Sequence, residues 1–162
     1  MTRLICNVFG VGLLRPASGT WGSVFAIGLG MVIFRYFGFP ALVLATAAVT
    51  ALGFWAVSRE LADTPNADPS EIVIDEVAGQ WLALLFPAAA FWGRGFEGWL
   101  PWPAPVAAFL FFRLFDIWKP WLVGRADAKP GWQGVMLDDL WAGLFAGIAT
   151  LAAAGLAHGV LM

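Results

Sequence analysis

The chain has 162 residues, 60% of them hydrophobic and 12% charged, with a formal net charge of −2. Its mean hydropathy is +0.79, more than one soluble core of this length can hide, because globular chains are only about half apolar. Composition therefore points to an integral membrane protein, and the near-balanced charge excludes a nucleic-acid-binding surface and an acidic disordered tail.

Residues 1–20 begin with a short interfacial segment and then read GVGLLRPASGTWGS, in which glycines, Pro16, Ser18 and Thr20 mark a loop and the next helix starts around Gly19 to Trp21. Arg3 is followed by a run broken at Asn7, Gly10 and Gly12, so no cleavable leader is expected and the first helix stays. The lone Cys6 excludes an internal disulfide and a cysteine-based zinc site, and among Leu4, Ile5 and Val8 it reads as a small packing residue. A helix start of this kind offers unpaired N–H groups and a positive dipole end to an anion. A plain Ser/Thr cap would use the same residues, and Arg15 beside them tips the reading towards phosphate.

Two runs, 21–37 and 41–57, are apolar apart from Arg35 and are joined by Gly38-Phe39-Pro40, which predicts a helical hairpin. The first run is near the lower limit for crossing hydrocarbon, about 17 residues. Residues 62–70, ADTPNADPS, are polar enough to be an aqueous loop. Asp75 and Glu76 then lead into an apolar helix from Val77 to about Trp92, and the Gly/Pro/Trp-rich link 93–105 suits a membrane interface. The run 106–117 carries the chain back. On it Arg113, Asp116 and Lys119 recur at three-residue steps, a slowly drifting helical stripe that ends at Pro120 and Trp121. A loop with Arg125, Asp127, Lys129 and Pro130-Gly131 follows, and Asp138 and Asp139 open the last apolar run, 140–162. His158 lies in that run, far from every carboxylate, which argues against a catalytic histidine.

Threaded back and forth, these runs predict an all-α integral membrane helical bundle of about four to five apolar helices, a single domain over 1–162. Arg3, Arg15, Arg59, Arg113, Lys119, Arg125 and Lys129 fall on one side of it, Arg35 and Arg94 on the other. By the positive-inside rule the first side is cytoplasmic. Asp75, Glu76, Asp116, Asp138 and Asp139 share that side. Acids at helix starts can be simple caps, each gaining about 0.3–1 kcal/mol from the dipole. Three groups of them converging among basic side chains predict a site instead, and carboxylates without His or Cys select magnesium, calcium or manganese. Arg113 and Lys119 then serve as phosphate clamps, with Arg15, Ser18 and Thr20 as further phosphate ligands. Pairing of the two cations with Asp116 or with lipid headgroups is the plainer alternative. A small ion carrier or channel using the same acids is the competing function, although transport sites usually sit near the midplane and these acids lie at one end.

Four stretches carry a resemblance. LLRPASGTWGS from Leu13, DEVAGQWLAL from Asp75, FRLFDIWKPW from Phe112 and GVMLDDLWAG from Gly134 resemble, in order and spacing, the bacterial phosphatidylglycerophosphatase A family. The resemblance implies a multi-pass enzyme of the bacterial inner membrane, facing the cytoplasm. It would be a magnesium-dependent phosphatase that converts phosphatidylglycerophosphate to phosphatidylglycerol and phosphate. It also implies that the matching residues, Thr20, Asp75, Glu76, Arg113, Asp116, Lys119, Asp138 and Asp139, belong to the site. Departures at Ser18, Leu122 and Trp132 leave every charged group in place.

Overall fold

The structure, a computed structural model, describes residues 1–64 and 69–161, with side chains described up to Ala157. The expectations for 65–68 of the polar loop and for the His158 side chain lie outside the described residues. Within them the chain is all helical: α1 Thr2–Cys6, a 3-10 segment Val8–Leu13, α2 Ser18–Glu60, α3 Ile74–Trp92, α4 Ala104–Trp118, α5 Leu122–Asp127 and α6 Trp132–Leu161.

The two apolar runs before residue 60 form one 43-residue helical stretch broken at Gly38, which has φ 79° and ψ 179°. That conformation is closed to side chains with a Cβ, and Pro40, two residues on, removes a helical N–H. The break reverses the chain. Gly22 on the first limb faces Val73, and Gly53 on the second faces Ile74, both at the start of α3, while Gly38 faces Trp92 at its end. The expected hairpin is therefore present, with limbs 18–37 and 39–60 running antiparallel.

α3 is the hub, packed against α2, α4 and α6. Its sequence is apolar all round because its faces are all covered. Val77, Trp81, Leu84 and Ala88 meet Ala26, Phe34 and Leu42 of α2. Ala83 meets Ala108 and Phe112 of α4 and Ala142 and Ala146 of α6. Ile74 and Ala78 join Met136 of α6 and Ala56 and Val57 of α2, with Cys6 closing that cluster. Burial pushes the Cys6 thiol up to about 11, so it is an inert packing group. Along α3 the Trp81 indole N–H donates to the Ala26 carbonyl at 2.7 Å, which satisfies the one polar atom of that ring.

Outward faces stay greasy. Val24, Phe25, Leu29 and Val32 on α2 and Ile148, Leu151 and Leu156 on α6 are exposed, and runs of exposed apolar side chains of this kind mark membrane or protein contact. Two helices, Ser18–Glu60 and Trp132–Ala157, are long and apolar enough to cross a bilayer, which suggests membrane association. Aromatic rings gather at the far end of the bundle, where Phe34 packs edge-on to Trp92 and Tyr36 to Trp99, the placement interfacial rings favour.

Three expectations need correction. α6 opens at Trp132, not at Asp138, because Gly131, at φ 71°, ends the preceding turn and accepts the N–H groups of Gly134 and Val135. Asp138 and Asp139 thus lie two turns inside the helix and cannot be caps. The stretch expected as loop after Trp121 contains α5, held by Val123 and Ala126, whose spacing lets both bury on one face. Lys119 does not continue the α4 stripe: it is the C-cap residue in the left-handed conformation, φ 49° and ψ 53°. The remaining helix bounds move by a few residues only, α3 starting at Ile74 and α4 at Ala104.

Candidate active site

Three helices bring the acids together. The first turn of α3 supplies Asp75 and Glu76, α4 supplies Asp116, and α6 supplies Asp138 and Asp139. Oxygens of Asp75, Glu76 and Asp139 all lie within 4.8 Å of one another, as do those of Asp116, Asp138 and Asp139, so Asp139 belongs to both groups. Asp75, Asp138 and Asp139 are buried, at 7%, 7% and 4% exposure. In each acidic pair the first carboxylate accepts the N–H of the second residue, Glu76 to Asp75 at 3.0 Å and Asp139 to Asp138 at 2.9 Å.

Cations flank the acids. Arg113 Nη1 lies 2.6 Å from Asp116 Oδ2, one helical turn apart on α4. The left-handed cap turns the Lys119 side chain away from that stripe, and its ammonium donates to Asp127 and, at 2.9 Å, to Asp138. Burial alone would lower the Lys119 ammonium pKa; the hydrogen bonds to Asp127 and Asp138 outweigh it and hold the group above its ordinary value, so it stays charged.

These groups line an open cavity of about 520 Å³. Its other walls are Ala17, Ser18 and Gly19 at the start of α2, Pro69 and Ser70 before α3, and Asp127 to Gly131 between α5 and α6. The first-turn N–H groups of Ser18 and Gly19 have no carbonyl within their own helix to bond. The Ser18 hydroxyl donates to the Ser70 carbonyl, which ties the two straps together. Arg15 and Thr20 do not line the cavity: the Arg15 guanidinium reaches the Ser70 hydroxyl at 3.4 Å, and the Thr20 N–H donates to Ala17. Asp127, Lys129 and Ser70 do line it and were not singled out from the sequence. For the first two the signal was the charge density between Lys119 and Asp138, whereas Ser70 left none.

The residues present fit a hard divalent cation. Six carboxylates but only three cationic side chains, Arg113, Lys119 and Lys129, line the cavity, and buried negative charge in excess needs compensation. Glu76 Oε2 is buried and has no hydrogen-bond partner among the described residues. All the available donors in the two groups are carboxylate oxygens, which suit magnesium, calcium or manganese. An anion binding beside the cations and a metal binding between the acids would neutralise each other's surroundings.

The phosphatidylglycerophosphatase A family model matches residues 4–154. The chain belongs to this family. It is 34% identical over 151 residues to a phosphatidylglycerophosphatase A of Haemophilus influenzae, covering 93% of this chain and 86% of that one. To the Escherichia coli phosphatidylglycerophosphatase A it is 31% identical over 143 residues, 88% of this chain and 77% of the other. A Bacteroides thetaiotaomicron relative, 36% identical over 147 residues, 88% of this chain and 86% of its own, bears the name "Putative phosphatidylinositol-3-phosphatase". No solved structure matches the chain. Family membership makes this a lipid phosphatase of phospholipid metabolism, and the resemblance read from the four sequence stretches is thereby borne out.

Proposed function

We propose that the chain hydrolyses the terminal phosphate monoester of phosphatidylglycerophosphate, giving phosphatidylglycerol and phosphate, with magnesium as cofactor. The observation that supports this best is the pair of carboxylate groups sharing Asp139, set beside Arg113 and Lys119 in one cavity. Relatives from Haemophilus influenzae and Escherichia coli carry the name of that activity.

Asp75, Glu76, Asp116, Asp138 and Asp139 would hold the metal. A bound divalent cation supplies charge neutralisation at the phosphate and acidifies a water. The chain does the rest. The Arg113 fork matches two phosphate oxygens, Lys119 adds a fixed positive charge, and the Ser18 and Gly19 N–H groups close the anion's remaining side. One carboxylate of this set would take a proton from the attacking water and return it to the glycerol oxygen as the phosphorus–oxygen ester bond breaks. Burial of the acids keeps bulk water from weakening these fields.

In our reading the whole chain, 1–162, is one domain that crosses the bacterial inner membrane four or five times. The limbs 18–37 and 39–60, α3 and α6 are four passes, and the 15-residue α4 is the fifth where it crosses fully. At 1.5 Å per residue the 19 residues of α3 span about 28 Å, close to the hydrocarbon thickness of about 30 Å. The cavity faces the cytoplasm, the side of Arg59, Arg113, Lys119, Arg125 and Lys129.

The test is phosphate release by the purified protein in detergent. Phosphatidylglycerophosphate, phosphatidylinositol 3-phosphate and phosphatidic acid are compared, each with magnesium and with chelator. Preference for the first, lost on chelation, is expected. A preference for phosphatidylinositol 3-phosphate would move the substrate to the one named by the Bacteroides relative, and release undiminished by chelator would overturn the metal.

A further inference from the structure

We propose that a groove beside Lys119, on the outer face of α4 and α6, holds an acyl chain of the same lipid whose phosphate occupies the acid-lined cavity. The proposal rests on the phosphatase reading above and specifies how that site takes a lipid. The groove measures about 660 Å³ and is walled by Phe115 and Trp118 of α4, Trp121, and Phe145 and Ile148 of α6. Phe115 and Phe145 meet edge to face at 6.0 Å and connect its two helical sides.

What commits the groove to the substrate is Lys119, which lines both cavities. Its ammonium sits with Asp127 and Asp138 on the polar side, and its flanking residues carry apolar rings on the other. The backbone is built to split the two. Lys119 at φ 49° and Trp121 at φ 45° are both non-glycine residues with positive φ, with Pro120 between them. This reversal sends the lysine inwards while Trp118 and Trp121 stay 70% and 84% exposed. An amphiphile whose phosphate lies against Lys119 can lead a chain out past that residue, and an apolar channel begins there. Bulk lipid or a second copy of the chain would cover the rings without needing this junction.

Two measurements decide it. In mixed micelles, phosphate release is compared for phosphatidylglycerophosphate with two long and with two six-carbon acyl chains, using wild type, Ile148→Trp and Ala149→Phe. Ile148 is exposed, so its replacement fills the groove without entering the core. The long-to-short ratio of kcat/KM should fall about tenfold in either variant, in line with what a mismatched apolar pocket discriminates. An unaltered ratio in both overturns the groove. Separately, a non-hydrolysable lipid phosphonate with a photoreactive group in mid-chain is cross-linked to wild-type protein in magnesium, and labelled peptides are mapped. Label concentrated at 115–121 and 145–149 and displaced by unlabelled lipid phosphonate, but not by phosphatidylcholine, is expected. Label spread evenly over outer faces such as 21–37 assigns the groove to bulk lipid and overturns the proposal. If wild type releases phosphate from neither chain length, the phosphatase reading falls and the groove with it; release from both with an unaltered ratio removes the groove alone.

Discussion

Gly79 of α3 and Gly143 of α6 touch backbone to backbone: a Cβ on Gly143 would fall on the Gly79 carbonyl oxygen, and a Cβ on Gly79 would fall on the carbonyl of Asp139. The contact lies one turn below Asp75 and one turn beyond Asp139, so it sets how near the two acidic pairs can come. Small residues let helices approach this closely in lipid, where packing drives association.

Gly143→Ala should therefore act at a distance. Overpacking costs about 1–3 kcal/mol, and the forced separation of α3 and α6 widens the carboxylate group around Asp139. The expected outcome is a lower melting temperature in detergent, a higher magnesium concentration for half-maximal phosphate release, and at least about a tenfold loss of turnover, the scale on which small misplacements act. Gly28→Ala is the control. No atom lies within 4 Å of a Cβ there, so it should leave activity alone and gain about 0.5–1 kcal/mol of helix propensity. Equal behaviour of the two variants would deny the contact its role.

Asp139 belongs to both acidic groups, and its replacement should pull stability and activity in opposite directions. Without metal, neighbouring buried carboxylates repel and each is poorly solvated. Asp139→Asn removes one of them, so the melting temperature in chelator should rise. With magnesium, wild type gains about 2.7 kcal/mol at a hundredfold excess over the dissociation constant, and the variant should gain much less. Turnover should drop by about two to three orders of magnitude, the scale of one lost electrostatic group at a reacting centre. Melting curves with chelator and with magnesium, read beside phosphate release, check all three; a variant that melts lower in chelator and still turns over would contradict the shared-ligand geometry.

The sequence disclosed the acids but not their arrangement. Hydropathy runs and the Gly38-Phe39-Pro40 break were enough for an all-helical chain with an N-terminal hairpin, because both depend on local rules. Threading those runs back and forth put Asp75, Glu76, Asp116, Asp138 and Asp139 on one side of the bundle. What stayed hidden depends on backbone conformations that spacing does not encode. The left-handed Lys119 turned a side chain expected on the α4 stripe towards α5 and α6, which brought in Asp127. The start of α6 at Trp132 removed the capping explanation for Asp138 and Asp139. Thr20 and Arg15 stand just behind the cavity wall, Thr20 two residues into α2 after Ser18 and Arg15 on the Ser70 hydroxyl, and neither lines the cavity itself.

Lys119 is bonded to two acids at once, one of them the buried Asp138. Lys119→Met keeps the length of the stem and removes the charge, leaving Asp138 with one neighbour fewer. Loss of a partner from a fully buried pair costs about 3–5 kcal/mol; with the lysine side chain 31% exposed, solvent screening reduces this to about 1–2 kcal/mol. The larger effect should fall on the anion, with KM for the lipid phosphate rising more than kcat falls. Lys119→Arg should restore part of the KM and little of the stability, because a planar fork does not reproduce the two-acid geometry of an ammonium. A KM unmoved in the methionine variant would mean that the lysine is purely a structural clamp.

Gln80 poses the last question, since it is fully buried and neither its amide oxygen nor its nitrogen has a hydrogen-bond partner among the described residues. It stands four residues after Glu76 on α3, on the same helical face, and the Glu76 Oε2 above it is also without a partner. An unpaired buried polar group costs about 1–3 kcal/mol, whereas an apolar group of similar shape costs nothing of the kind. Gln80→Leu should therefore raise stability in chelator by about 1 kcal/mol or more. Gln80→Glu adds a carboxylate beneath a cavity already rich in them, so it should lower stability in chelator and recover much of the loss when magnesium is added. Thermal melts of both variants in each condition make the comparison. If the leucine variant is the less stable one, the amide has a partner it depends on, and the floor of the cavity is polar rather than a tolerated defect in an apolar helix.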